Sequence, residues 1–153
     1  MIASIFKHAK IIWYENVWKY KKIKLEDRII IELIGTDTKG FLQALVTNNL
    51  DLVSCNKSIY AALLSPQGKY IFDFFIFESS LNGLLSIDCE INRYQELLEK
   101  LNIYKLRNKI DFNINKKITI FSICGSDYSE LILDLEMNNI EGDTKKVNNN
   151  III

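Results

Sequence analysis

The sequence predicts an α+β domain with a mostly antiparallel sheet and helices packed against it. Three observations carry this expectation. The only proline of the chain lies in Ser65-Pro66-Gln67-Gly68, between the strand-like runs Ile59–Ser65 and Tyr70–Glu78. Serine first, proline second and glycine fourth suit a type I turn, so the two runs form a hairpin. Asn82-Gly83 then joins the hairpin to a third run, Leu84–Glu90, giving a three-strand meander. Finally, amphipathic helical patterns beginning at Asn92 and Asp127 supply apolar faces to pack on that meander.

Within the hairpin, Ile71, Asp73, Phe75 and Phe77 share one face of the second run, and Tyr70, Phe72, Phe74 and Ile76 share the other. Both faces are apolar, which predicts central hairpin strands. Asp73 is the exception. A carboxylate among large apolar neighbours must be hydrogen-bonded, neutralised or open to a pocket.

Composition bounds the rest. At 153 residues and 48% hydrophobic, the chain is long enough for one domain with a substantial core. Nineteen basic and nineteen acidic side chains cancel, so no global field favours nucleic acid, and none is expected as a direct partner. Cys55, Cys89 and Cys124 are each more than thirty residues from the next, and His8 is the only histidine, which excludes a local zinc site. The odd cysteine count and the lack of a secretion signal predict a cytoplasmic protein with inert packing thiols.

Residues 1–24 form a basic extension with six lysines, aromatic residues and one acid, Glu15. Such a segment suits a membrane surface or RNA, but the apolar run Ile11–Tyr14 is too short to span a bilayer. A poorly packed terminus is the stronger reading. The domain proper is expected over 25–137, starting at about Leu25. Arg28–Ile34 reads as a buried strand; Thr36 and Asp37 offer caps for a helix with an inner stripe of Phe41, Leu42, Leu45 and Val46 that closes at Asn48 and Asn49. Gly35 and Gly40 match no nucleotide-binding loop. After the meander, the Asn92 helix has Gln95 as a capping-box partner, a stripe of Tyr94, Leu97, Leu98 and Leu101, and Glu96 placed to meet Lys100. Lys109–Ile114 and Lys117–Cys124 read as two strands around Asn115-Lys116, and the Asp127 helix presents Tyr128, Leu131, Ile132 and Leu135. Residues 138–153 read as a truncated tail ending in Ile151-Ile152-Ile153, a strand fragment with nothing after it to pair or cover it.

Several of these residues together carry a family resemblance. Ile34-Gly35-Thr36-Asp37 is followed by Phe41-Leu42-Gln43 and Leu45-Val46-Thr47-Asn48-Asn49-Leu50. Then come Leu64-Ser65-Pro66-Gln67-Gly68-Lys69 with Phe72-Asp73, and Leu97–Leu101 with Tyr104-Lys105-Leu106-Arg107. The series resembles the folate-binding YgfZ family from about Leu25 to about Glu136. That family shares its fold with the aminomethyltransferase, or T-protein, of the glycine cleavage system. The resemblance implies a tetrahydrofolate-binding protein that supports assembly or repair of iron–sulfur enzymes, including those that modify tRNA, with iron–sulfur assembly proteins as partners. The family's Lys-Gly-Cys-Tyr-x-Gly-Gln-Glu run is absent, so no family role passes to Cys55, Cys89 or Cys124. The chain also ends where members continue into further domains. It therefore looks like an amino-terminal portion, expected to self-associate or to need a complementary carboxy-terminal fragment.

Two functional classes follow. As a folate-binding protein the chain would contact the cofactor through Asp73 and Arg107, with Tyr104 as an aromatic face and Asn48 near the same cavity. As a T-protein-like aminomethyltransferase it would need a carboxylate near the pterin. There the resemblance departs: the T-protein carries an adjacent acidic pair, whereas here Phe72 precedes Asp73. The binding class fits better, with no catalytic or metal-ligating residue assigned. A non-functional fragment or interaction module is the third alternative. Bland roles compete at each site: Tyr104 as a core aromatic, Arg107 as a surface ion-pair partner, Asn48 as a helix C-terminal residue.

Overall fold

Alternating residues give each strand of the main sheet one face that packs into the core cluster, and β5 is buried on both faces. The computed structural model describes residues 21–79, 84–124, 145–147 and 150–152. Its elements are β1 (Lys21–Leu25), β2 (Arg28–Ile34), α1 (Thr38–Gln43), a 3₁₀ turn (Leu50–Leu52), β3 (Ile59–Leu64), β4 (Tyr70–Glu78), β5 (Leu85–Glu90), α2 (Tyr94–Lys105), β6 (Asp111–Asn115), β7 (Ile120–Cys124), β8 (Lys145–Val147) and β9 (Asn150–Ile152). Five strands form an antiparallel sheet in the order β3-β4-β5-β2-β6, while β1 pairs with β7 and β8 with β9. One sheet face carries the buried Ile31, Leu33, Phe72, Phe74, Ile76 and Ile87. Leu97 and Leu101 of α2 and Phe41 and Leu42 of α1 join the same cluster. The architecture is the expected α+β domain.

The turn at Pro66 forms as read. The Gly68 amide donates to the Ser65 carbonyl at 2.9 Å, and Gly68 takes φ 75, the left-handed position that glycine fills without strain. The hairpin's place in the sheet differs from expectation. β4 is interior, but β3 lies at the edge, and the central strand is β5, buried from Leu85 through Cys89. Periodicity reports how a strand's faces are covered, and it does not name the neighbours.

Local capping predictions also yield to tertiary contacts. α1 ends at Gln43, short of Asn48, and neither helix has a side-chain cap bond at its N-terminus. The Gln95 capping box does not form, and Glu96 pairs with Arg93 at 3.3 Å instead of Lys100. The two strands read around Asn115-Lys116 both form, and they belong to different ladders: β6 joins β2, and β7 joins β1. That second ladder begins regular structure at Lys21, four residues before the expected start. Ile151 and Ile152, read as a strand fragment with nothing after it to pair, pair with the preceding Lys146 and Lys145. The Asn82-Gly83 turn, the Asp127 helix and residues 1–20 lie outside the described residues. No helix among those described is long and apolar enough to cross a membrane.

The turn after β2 is a clamp. Gly35 has φ 147, a region L side chains avoid, and a Cβ there would lie 1.9 Å from the Lys109 carbonyl oxygen. Two residues on, Asp37 Oδ2 accepts the Lys109 amide at 2.8 Å. The turn thus pins the connection between α2 and β6. Gly35→Ala is expected to cost roughly 3 kcal/mol or more in denaturant melts, because the carbonyl cannot move without shifting β6. The Lys109 amide, then Thr36, holds the Asp37 carboxyl below its ordinary value of 3.8. A lowered carboxyl stabilises the fold above that ordinary value and loses the contribution as pH falls through the folded one. Asp37→Asn should therefore flatten the acid limb of stability against pH; an unchanged limb would show that this bond does not contribute.

Candidate functional site

Asp73 sits in β4 opposite Ala62 of β3, half-buried on the sheet face away from the core. Its two oxygens each accept a phenol. The Tyr60 hydroxyl donates to Oδ2, and the Tyr70 hydroxyl donates to Oδ1 at 2.9 Å. The Tyr60 ring packs against Phe75 with centroids 5.3 Å apart. Hydrogen bonding therefore resolves the carboxylate's desolvation, and among the described residues Asp73 forms no ion pair. The consequence falls on the phenols. The bond to Asp73, with burial behind it, pushes Tyr60 up to about 12. Burial first, then Asp73, raises Tyr70.

A bulge makes this grouping. Pairing runs Leu63 to Phe72, then Leu64 to Tyr70, leaving Ile71 as an extra residue on β4. Tyr70 is thereby carried from the Phe72 face, where strict alternation places it, to the face of Asp73. The carbonyl of Ile71 accepts Nη1 of Arg93 at 2.8 Å, and that guanidinium lies 4.4 Å from the Phe72 ring centroid. Between them is a cavity of about 10 Å³ lined by Tyr70, Phe72, Asp73, Cys89, Glu90, Arg93 and Leu97. It has room for one water at most. Burial pushes the Cys89 thiol up to about 12, in keeping with an inert packing residue. Cys55, by contrast, is exposed.

The other expected site residues are dispersed. Asn48 Nδ2 donates to the Tyr60 carbonyl at 2.9 Å, so Asn48 and Asp73 meet through Tyr60. Beside it, the Thr47 amide donates to the Ala62 carbonyl and Thr47 Oγ1 accepts the Ala62 amide, both at 3.0 Å. Segment 46–48 thus satisfies the outer edge of β3. Tyr104 is half-buried against the core cluster. Arg107 is exposed just past α2, beside Leu106 and Asn108. It lies roughly 20 Å from Arg93 along the helix, at 1.5 Å per residue. Arg93, which lines the same small cavity as Asp73, was passed over by sequence reasoning along with Tyr60 and Tyr70. Hairpin register was the signal for Tyr60, which is diagonal to Asp73 across a turn that was itself legible. The bulge and the long-range Arg93 contact left no local signature.

A second polar group on the same face was also missed. Arg28 Nε donates to Asp88 Oδ1 and Nη2 to the Asp88 carbonyl, both at 2.9 Å, with side-chain exposures of 17% and 12%. Burial raises the Asp88 carboxyl, and Arg28 offsets this only in part. Such a pair is weakly stabilising as a whole but costly to break. Arg28→Met or Asp88→Leu alone should cost about 3 kcal/mol, and the double variant less than the sum by 1 kcal/mol or more (roughly). Additive losses in denaturant melts would show that the groups are not coupled.

No family model matches the chain. It is similar to an "Iron-sulfur cluster assembly factor IBA57 homolog, mitochondrial" of Dictyostelium discoideum, at 31% identity over 84% of this chain and 38% of the relative. A "tRNA-modifying protein YgfZ" of Hamiltonella defensa is 26% identical over 84% of this chain and 38% of the relative. The chain is a homologue of the IBA57 and YgfZ proteins. Human IBA57 matches at 24% identity over 67% of this chain and 32% of the relative. Among solved structures, an aminomethyltransferase T of the glycine cleavage system from Bartonella henselae superposes with a TM-score of 0.66. It covers 82% of this chain and 35% of that one, at 12% identity. The fold is therefore that of the aminomethyltransferases. The chain spans 38% of the length of both the Dictyostelium IBA57 and the Hamiltonella YgfZ.

Proposed function

We propose that this chain binds a tetrahydrofolate on the outer face of its hairpin and serves iron–sulfur enzyme assembly or repair, tRNA-modifying enzymes included, as a binding protein. Its homology to IBA57 and YgfZ supports the process, and iron–sulfur assembly proteins are the proposed partners. The observation that carries the folate reading is the Asp73 carboxylate with its two phenols. A carboxylate has about four acceptor positions, and the tyrosines use two. The others suit the amino and ring N–H donors of a pterin, with the Tyr60 and Phe75 rings as an adjoining apolar surface. The fit is one of chemistry and not of enclosure. The adjoining cavity of about 10 Å³ is far below the roughly 300–1,000 Å³ of a ligand pocket. These residues would form one wall of the site. Asn48 belongs to that wall through Tyr60; Tyr104 and Arg107 enter the proposal on the family resemblance alone.

The enzyme reading is weaker. Phe72 occupies the first place of the T-protein's acidic pair, buried beneath Arg93. That leaves Asp73 without a second carboxylate beside it in β4. Free thiols at Cys55 and Cys89 suit a reducing compartment, either cytoplasm or the mitochondrial interior.

Calorimetric titration of tetrahydrofolate into wild type and Asp73→Asn tests the proposal, with thermal melts as a folding control. Losing a charge-assisted bond should cost about 1.5–3 kcal/mol, or roughly ten- to a hundredfold in affinity. No binding by wild type, or equal binding by a folded variant, would refute it.

A further inference from the structure

We propose that Arg93 is a positioning residue for the Asp73 cluster: its guanidinium locks the Ile71 bulge, and the bulge brings Tyr70 onto Asp73. In an unbroken strand, residues 70 and 73 point to opposite faces, because side chains alternate with a period of two. A bond between them requires one extra residue, and Ile71 is that residue, without a partner in either the β3 or the β5 ladder. A bulge leaves backbone groups needing partners outside the ladder. Arg93 meets that need for the Ile71 carbonyl while stacking on the next residue, Phe72. Its other terminal nitrogen reaches Glu96 in the first turn of α2, and α2 is anchored by Leu97 and Leu101 in the core. The position of the helix is thereby transmitted to β4. The flat guanidinium fork makes all three contacts at once, which an ammonium cannot do.

The groups facing the Tyr70 phenol are Asp73, Glu90, the Tyr60 phenol on the other oxygen of Asp73, and Arg93 itself. The two causes to separate, Asp73 and Arg93, give the test its sign. As a cation, Arg93 lowers the Tyr70 phenol, whereas the bond to Asp73 raises it. Removing a mere neighbouring charge would push Tyr70 up; releasing the bulge would separate it from Asp73 and bring it down. The experiment follows the ring carbons of isotope-labelled tyrosine by NMR through an alkaline titration, with Tyr70 assigned by Tyr70→Phe. In Arg93→Met, Tyr70 is expected to titrate earlier than in wild type. In Arg93→Lys, which keeps the charge but loses the fork, it should also titrate earlier, by a smaller margin. This second variant decides the matter should Arg93→Met fail to fold. A later or unchanged Tyr70 titration in a folded variant would overturn the proposal.

The link to ligand binding rests on the folate reading above, and tetrahydrofolate titration of Arg93→Lys is expected to show weaker binding. If wild type binds no folate, that reading fails while the phenol titration still decides the role of Arg93.

Discussion

The structure depends on one constraint: β4, β5 and β2 must turn the same side of the sheet toward α1 and α2. Burying each large apolar side chain on that side stabilises the fold by about 1.5–3 kcal/mol, and slipping one strand by a single residue would exchange its faces. In β4 such a slip would turn Phe74 and Ile76 away from the core and drive Asp73 toward Leu63, Ile87 and Leu97 without a partner. The register that buries Phe72, Phe74 and Ile76 therefore also dictates that the carboxylate appears on the other side. The polar face is a consequence of the core.

That second face solves its own electrostatics with local partners. Arg28 meets Asp88, the phenols of Tyr60 and Tyr70 meet Asp73, and Glu32 accepts the side-chain amides of Asn113 and Asn115, both at 2.7 Å. Ser86 is the exception, with a buried hydroxyl that has no partner among the described residues. The outer face thus mixes these polar groups with apolar residues, Ile30 and Phe77 being buried on it, while the alternate residues fill the core.

Much of the fold was legible because the signals were local. β2 and β4 begin and end at the residues their patterns indicated, and the Pro66 turn forms as its residues demand. Strand order was not legible: β5 lies between β4 and β2, and β6 pairs with β2 across some eighty residues. Asp37 shows why capping chemistry misleads. Its side chain reads as a helix cap, yet it bonds an amide 72 residues away because the close approach of Gly35 brings that segment into range. For the candidate site, Asp73 stood out as an acid among apolar neighbours. Its true partners did not, because Tyr60 depends on register, Tyr70 on a bulge, and Arg93 on how α2 docks.

The central claim is that Asp73 is held on the outer face by paired phenols, and the Tyr60 titration tests it most directly. In wild type the Tyr60 phenol is pushed up to about 12. A raised phenol stabilises the fold fully below the ordinary value of 10 and loses that contribution as pH rises through the folded value. In Asp73→Asn the phenol should return toward 10, read as phenolate absorbance against pH with Tyr60→Phe for assignment. Identical Tyr60 titrations in the two proteins would mean that the hydroxyl does not bond the carboxylate, and the account of this face would be wrong.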